Sequence, residues 1–208
     1  KREKQKLKLL LQKVKNILIS AKLKKPEIGI VIEQDMLEKR AKIAFLSIGS
    51  NLGNKKKNIE IAKFKLKKNN IKIIKVSKNY ETLSWPNKKN PKFINVIILV
   101  ETTLPPVDLM SVLIFIEKKL ERKRGKKNDP RTCDIDIIDY NSQILNLRYN
   151  NLDLTVPHKE LTSRNFILFP LQEISPTWKH PKTKEIISVL LQKLNDEDKN
   201  SILKIVKN

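Results

Sequence analysis

Apolar positions follow two rhythms along this chain, and the changes between them mark its elements. Lys42 to Ile48 is apolar at nearly every place and stops at Gly49-Ser50-Asn51-Leu52-Gly53, which predicts a buried strand ending in a turn. Asn54 is placed to cap a helix from about 55 to 69, with Ile59, Ala62 and Leu66 on its inner face. Ile71 to Tyr80 predicts a second strand running on toward Thr82, and Ser84 to Lys92, with two Pro and three Lys, predicts a loop. Phe93 to Thr102 is apolar almost throughout and reads as a central strand. Pro105-Pro106 opens a helix whose stripe is Leu109, Val112, Leu113, Ile116 and Leu120. Cys133 to Ile138 returns to alternation. Gln143 to Val156 predicts a hairpin, and Glu185 to Leu194 a last amphipathic helix with Ile186, Val189, Leu190 and Leu194 inward. Upstream, Leu7, Leu10, Leu11, Val14 and Leu18 mark a basic helix. Ile28 to Ile32 follows as a short strand, and Glu33 to Arg40 as a charged linker.

The order β-α-β-β-α-β predicts an α+β fold. The sheet is expected to be antiparallel and ferredoxin-like, with two helices on one face, plus the hairpin and the C-terminal helix. The expected organisation is a basic N-terminal extension over 1–41, a main domain over 42–195 and a tail over 196–208. A start without Met suggests a fragment or a processed chain. No apolar run approaches the roughly 20 residues that span a bilayer, and no signal-peptide pattern opens the chain. The single cysteine, Cys133, excludes an internal disulfide framework and points to a reducing, cytoplasmic compartment.

The net charge of +22 invites a nucleic-acid reading. Only seven of the 44 basic residues are arginine, however, and the lysines are scattered over every segment. The arginines are more informative, because Arg122, Arg124, Arg131 and Arg164 cluster around the stretch that carries the chemistry. That stretch, from Arg122 to Ile137, reads R-K-R-G-K-K-N-D-P-R-T-C-D-I-D-I. On a strand, residues two apart share a face, so Asp134 and Asp136 point one way and Cys133, Ile135 and Ile137 the other. Two carboxylates at that spacing repel unless a cation sits between them, and oxygen-only ligands suit Mg2+. The arginines supply planar donor forks for a polyphosphate. Together they suggest a nucleotide–magnesium site, although D-x-D alone is equally an exposed face of solvated acids. The segment from 122 to 130 is charged, holds a Gly and lacks apolar anchors, so it is expected to be mobile and to close over substrates.

Several further motifs occur in order: G-S-N-L-G at 49–53, Y-E-T at 80–82, F-I-N at 93–95 and I-E at 116–117. R-K-R at 122–124, P-R-T-C-D-I-D-I at 130–137, and V-P-H with R-N-F at 156–166 follow them. Over about residues 42–192 the chain resembles the 6-hydroxymethyl-7,8-dihydropterin pyrophosphokinase family of folate biosynthesis. Residues 25–33 resemble the C-terminal end of a dihydroneopterin aldolase.

The resemblance implies transfer of pyrophosphate from ATP to the hydroxymethyl of the pterin, with AMP released and two Mg2+ ions engaged. It makes Asp134 and Asp136 the metal ligands and Arg122 and Arg131 the catalytic arginines. Glu117, Arg122, Arg124, Arg131, Ile137, His158 and Arg164 become the ATP-binding set. Thr82, Leu83, Trp85, Phe93, Asn95 and Phe166 become the pterin-binding set. Gly49 and Ser50 shape the turn and brace the site. Each assignment has a plainer alternative: a loop histidine for His158, core packing for Phe166, a strand-end turn for Asn95, an exposed ion pair for Glu117. The sequence departs from the family at Glu121, where Gly is usual, at Ile114 for Gln, at Leu83 for Pro, and at Asn128 near a Trp of some relatives. Expected partners are ATP and the pterin, and other folate-pathway enzymes, with no specific nucleic acid and no membrane. The alternatives are an RNA-binding module of the same strand order and a non-catalytic folate-pathway subunit.

Overall fold

The computed structural model describes residues 40–84, 87–122, 129–149 and 152–206. The N-terminal helix and strand expected over 1–32, the linker up to 39, and the aldolase-like stretch lie outside them.

Strand β1 (Lys42–Ser50) is buried from Ala44 onward and lies between β4 and β5 in the sheet. Helix α1 (Lys55–Lys68) starts where Asn54 Oδ1 accepts the Lys57 N–H at 3.1 Å, and buries Ile59, Ala62 and Leu66. Strands β2 (Lys72–Val76) and β3 (Asn79–Thr82) both pair antiparallel with β4 (Phe93–Thr102). The expected single strand from 71 toward 82 is therefore two. At the break, the Ser77 N–H donates to the Ile97 carbonyl at 2.9 Å while its Oγ accepts the Ile97 N–H at 3.0 Å. A side chain thus completes the ladder where the backbone leaves it.

Helix α2 (Pro106–Lys119) opens on its two prolines and buries Leu109, Val112, Leu113, Ile116 and Glu117. Strand β5 (Asp134–Tyr140) pairs with β1 and slips register between Phe45 and Leu46, which leaves Ile138 without a partner residue. Strands β6 (Leu145–Tyr149) and β7 (Leu152–Val156) form the expected hairpin. A cis Val156–Pro157 bond and a 3-10 turn, Leu161–Ser163, lead to helix α3 (Asn165–Ile174). Helices α4 (Ile187–Gln192) and α5 (Asp196–Asn200) and strand β8 (Ile202–Val206) end the described chain. The sheet order is β5-β1-β4-β3-β8, every pairing is antiparallel, and β2 joins the far half of β4.

One face of this sheet is sealed by α1 and α2 through Leu46, Ile48, Ile98, Ile135 and Ile137. The other face is sealed over part of its length by α3 and α4, through Phe45, Ile97, Ile138, Ile167, Leu168 and Leu190. Helix α3 was not expected, so the sheet has helices on both faces rather than one. The last long helix is shorter than the pattern predicts, because Lys184 has φ +62° and Ile186 is extended, bridged to Lys179. The segment expected as a tail carries α5 and β8, and β8 lengthens the sheet.

Candidate active site

The second face of the sheet changes character part way along its strands. Phe45, Ile97 and Ile138 lie under α3 and α4; one alternation further on, the same three strands present Ser47, Asn95 and Asp136. There the helices no longer cover the sheet, and a cleft opens whose lining includes Thr82, Phe93, Asn95, Arg131, Asp134 and Phe166. Asn95 forms its floor and donates from Nδ2 to Thr82 Oγ1 at 2.9 Å. Gly49 pairs with Asn95 across the ladder, and a Cβ there would stand 2.9 Å from Asn95 Oδ1. The glycine is needed for close approach, so it braces the site as expected.

Asp134 and Asp136 share the cleft face, while Ile135 and Ile137 are buried in the opposite core, as alternation requires. The Asp134 carboxylate is gripped on both sides, by Arg122 at 2.6 Å and Arg131 at 2.5 Å. Asp136, with its side chain 37% exposed, meets Arg164 at 3.8 Å. Desolvation by the cleft walls and the charge of Asp134 push the Asp136 carboxyl upward, against the pull of Arg164 and Arg131. Burial opposes the Arg122 charge, but Asp134 and Glu117 outweigh it and raise its pKa. Arg131 lies over the Phe93 ring and Arg164 over Phe166, each 5.5 Å from the centroid. The buried Nε of Arg131 has no hydrogen-bond partner among the described residues, which suits a donor awaiting an anion.

Four hydrogen bonds brace these groups. Arg131 N–H donates to Asn51 Oδ1 at 2.7 Å and Asn51 N–H returns to the Arg131 carbonyl at 3.1 Å. Ser50 Oγ donates to the Thr132 carbonyl at 2.7 Å, and Thr132 Oγ1 to the Leu120 carbonyl at 2.6 Å. The G-S-N turn therefore clamps P-R-T directly. Glu117 is buried, unlike an exposed helical ion pair; it accepts the Ile135 N–H at 2.7 Å and pairs with Arg122, tying α2 to β5.

His158 follows the end of β7 and is joined to β5 by its backbone. The carbonyl of Ile138, which lacks a partner residue on β1, accepts the His158 N–H at 3.0 Å. Burial first, then the charge of Arg164, lower the His158 pKa to about 4, so the ring is neutral near pH 7. Its Nδ1 accepts the Glu160 N–H at 3.2 Å, which leaves the proton on Nε2, a donor. Arg164 also pairs with Glu160.

The expected residues Thr82, Leu83, Phe93, Asn95, Arg131, Asp134, Asp136, Arg164 and Phe166 thus meet in one cleft, with Arg122 and Glu117 behind Asp134. Phe166 lines the cleft and also packs against the second-face core. Ile137 keeps its side chain in the first-face core and can offer the cleft only its backbone. The Leu83 N–H donates to the Ser201 carbonyl at 3.2 Å and is not left for a ligand. Trp85, Arg124 and Asn128, and most of the 122–130 segment, lie outside the described residues. Sequence reasoning missed Ser47, whose one signal is a lone polar residue inside an apolar strand. It also missed Asn51, Thr132 and Glu160, whose partners come only with the fold.

Comparison with known proteins adds three findings. The family model described as 7,8-dihydro-6-hydroxymethylpterin-pyrophosphokinase (HPPK) matches residues 45–176. The chain is 36% identical over 159 residues to the folic acid synthesis protein fol1 of Pneumocystis carinii, which covers 76% of this chain but 21% of that protein. It is 34% identical over 137 residues to the 2-amino-4-hydroxy-6-hydroxymethyldihydropteridine pyrophosphokinase of Aquifex aeolicus, covering 66% of this chain and 82% of that one. The chain thus spans about a fifth of the fol1 relatives it matches. In fold it is similar to wild-type Plasmodium falciparum HPPK-DHPS, with a TM-score of 0.61 at 18% identity over 74% of this chain and 45% of that one.

Proposed function

The chain belongs to the 7,8-dihydro-6-hydroxymethylpterin-pyrophosphokinase family, and on that basis we propose that it transfers pyrophosphate from ATP to 6-hydroxymethyl-7,8-dihydropterin. The pterin hydroxymethyl oxygen attacks the β-phosphorus, the bond from that phosphorus to the α,β-bridging oxygen breaks, the hydroxyl proton is lost, and AMP leaves. The carrying observation is the cleft itself: Arg122, Arg131 and Arg164 set against Asp134 and Asp136, beside Phe93, Asn95 and Phe166.

A hydroxymethyl group is a poor nucleophile and the transferred group is densely charged, so the work is positioning and charge neutralisation. Arg122 and Arg131 steady the triphosphate with their guanidinium forks, and Arg124 assists from the basic segment. Arg164 and the Nε2–H of His158 meet the phosphates from the β5 side. Phe93 and Phe166 give the pterin ring apolar faces, and the Asn95 carboxamide and the backbone at Thr82 give its edge polar partners. Glu117 positions Arg122 toward the nucleotide, and Leu83, Trp85 and the Ile137 backbone complete the two pockets.

The donor set fits Mg2+. Asp134 and Asp136 are two hard oxygen ligands whose mutual repulsion a cation relieves. Asp134 and Asp136 would hold the ion, and such a hard cation would take its remaining ligands from phosphate and water oxygens. When bound, two such ions neutralise charge on the phosphates between the two substrates.

The strand order and antiparallel pairings support a ferredoxin-like core. We read 42–195 as the transferase domain, to whose sheet β8 of the following segment is added through its pairing with β3, and 1–41 as an N-terminal extension. The buried thiol of Cys133 suits a reducing cytoplasm, though among the described residues the direct fact is that no helix is long and apolar enough to cross a membrane. The names of relatives, among them a folate synthesis bifunctional protein, support folate-pathway enzymes as partners. The RNA-binding reading is not favoured, since α3 and α4 cover part of the sheet face on which such a module stacks bases.

The test is pterin-dependent formation of AMP, with Arg131→Lys as the contrast. The variant keeps the charge but loses the fork, so transfer falls by one or two orders of magnitude, about 1.4–2.8 kcal/mol. Any RNA binding by scattered lysines stays weak, sequence-blind and salt-sensitive in both proteins. ADP as the product, or a tight sequence-selective RNA complex weakened by Arg131→Lys, would overturn the reading.

A further inference from the structure

Residues 177–208 fall outside the family match, yet Ser201 among them bonds to a residue that lines the cleft. The connection between α5 and β8 is a single residue, Ser201. Its carbonyl accepts the Leu83 N–H at 3.2 Å, where β3 ends at the cleft. Its Oγ accepts from Asn165 Nδ2 at 2.6 Å. Asn165 is buried and begins α3, and its Oδ1 accepts the Phe166 N–H at 2.6 Å. The same Nδ2 donates to the Asp198 carbonyl, to which Ser201 Oγ also donates at 3.1 Å. One residue therefore ties together two elements that line the cleft, the β3 end at Thr82–Leu83 and the first turn of α3 at Phe166.

These contacts are unlike ordinary surface packing. The pairing of β3 with β8 shifts register between Glu81 and Thr82, so regular strand pairing ends as the chain enters the cleft wall. Beyond Thr82, paired with Ile202, the Leu83–Ser201 hydrogen bond is what continues the attachment. On the α3 side, the Asn165 carboxamide is spent entirely on Phe166, Asp198 and Ser201, so the ring-bearing turn is oriented from the C-terminal segment. Asn95 donates to Thr82 Oγ1 at the floor, so a shift of the β3 end would also move the carboxamide.

We propose that Ser201 is a positioning residue for the acceptor substrate: it sets where Leu83 and Phe166 stand relative to each other and so the fit of a flat bicyclic ring against Phe166. This rests on reading the cleft as the pterin site. The phosphate side, built from Arg122, Arg131, Asp134 and Asp136, has no contact with Ser201 among those described and is governed separately.

The test uses the full chain with Ser201→Ala and Ser201→Thr. Ser201→Ala is expected to raise the pterin KM about three- to ten-fold, the size of one net hydrogen bond. The ATP KM and the kcat at saturating pterin stay within about two-fold, and Ser201→Thr, which keeps the hydroxyl, restores the pterin KM. Ligand-free amide exchange at Leu83 and Phe166 is measured alongside and should speed up in Ser201→Ala only. Equal rises in both KM values would overturn the proposal, as would faster unfolding with an unchanged pterin KM, or unchanged exchange at both amides. If the wild type formed no AMP with pterin while Ser201→Ala still loosened both amides, the functional reading would fail and the bridging by Ser201 would stand.

Discussion

Two halves of one sheet face divide the labour of this molecule. Phe45, Ile97 and Ile138 lie under α3 and α4 and are sealed from water. One alternation along the same strands, Ser47, Asn95 and Asp136 face an open cleft. Pairing of β1 with β4 is continuous between the halves, with Ser47 opposite Ile97, while β5 resumes its pairing beyond the register slip with Asp136 opposite Ser47. What differs is whether a helix covers the strands, and side-chain chemistry follows that difference. The covered half can be apolar because nothing needs to enter. The open half carries charges close together, Asp134 between Arg122 and Arg131 and Asp136 near Arg164.

Crossed substitutions break this comparison most severely. Asp134→Ala should lower AMP release by about three orders of magnitude or more, because it removes a ligand for ions held against polyanionic substrates. The circular dichroism spectrum should hardly change, since Ile135 and Ile137 still pack on the other side. Ile138→Ala should do the reverse. It should cost about 2–5 kcal/mol in chemical denaturation while the folded fraction keeps most of its turnover. If both variants lost stability and activity in step, the two halves would not be separable.

A smaller effect sharpens the boundary between the halves, where His158 hangs from the Ile138 carbonyl. Its folded pKa is lowered to about 4, below the ordinary value near 6.5, so between those values the unfolded chain binds the extra proton. Its contribution to stability is therefore complete above about pH 6.5 and is lost as the pH falls toward 4. Asp136 acts with the opposite sign, since its raised carboxyl favours the folded state as the solution is acidified. Thermal melts of wild type and His158→Gln from pH 7 to pH 5 should separate the two. The wild type should lose more stability than the variant across that range; parallel curves would mean that His158 is not held neutral.

The functional half was the more legible in the sequence. Alternation alone placed Asp134 and Asp136 opposite Ile135 and Ile137, because the period of a strand is fixed by its geometry. The bounds of β4 were readable because the run from Val96 to Val100 is apolar throughout, with Asn95 the one polar residue before it in the strand. The covering half was harder. Phe166-Ile167-Leu168-Phe169-Pro170-Leu171 is a continuous apolar run with an internal proline, which hides the helical spacing of Ile167, Leu171 and Ile174. Without α3, the closure of the second face could not be seen. The break at Ser77 was equally hidden, since it depends on a hydroxyl meeting Ile97 from a distant strand. Pairings such as Asn51 with Arg131, or Asn165 with Ser201, join residues far apart in sequence and leave no local pattern.

The most direct measurement is calorimetric titration of a non-hydrolysable ATP analogue into the full chain, with and without Mg2+, and with and without pterin. The cleft described here predicts tight nucleotide binding only with Mg2+, and pterin binding strengthened once the nucleotide is in place. Asp134→Ala should abolish the Mg2+ dependence. Nucleotide binding of the same strength without Mg2+, unchanged by Asp134→Ala, would contradict the assignment of this cleft to pyrophosphoryl transfer.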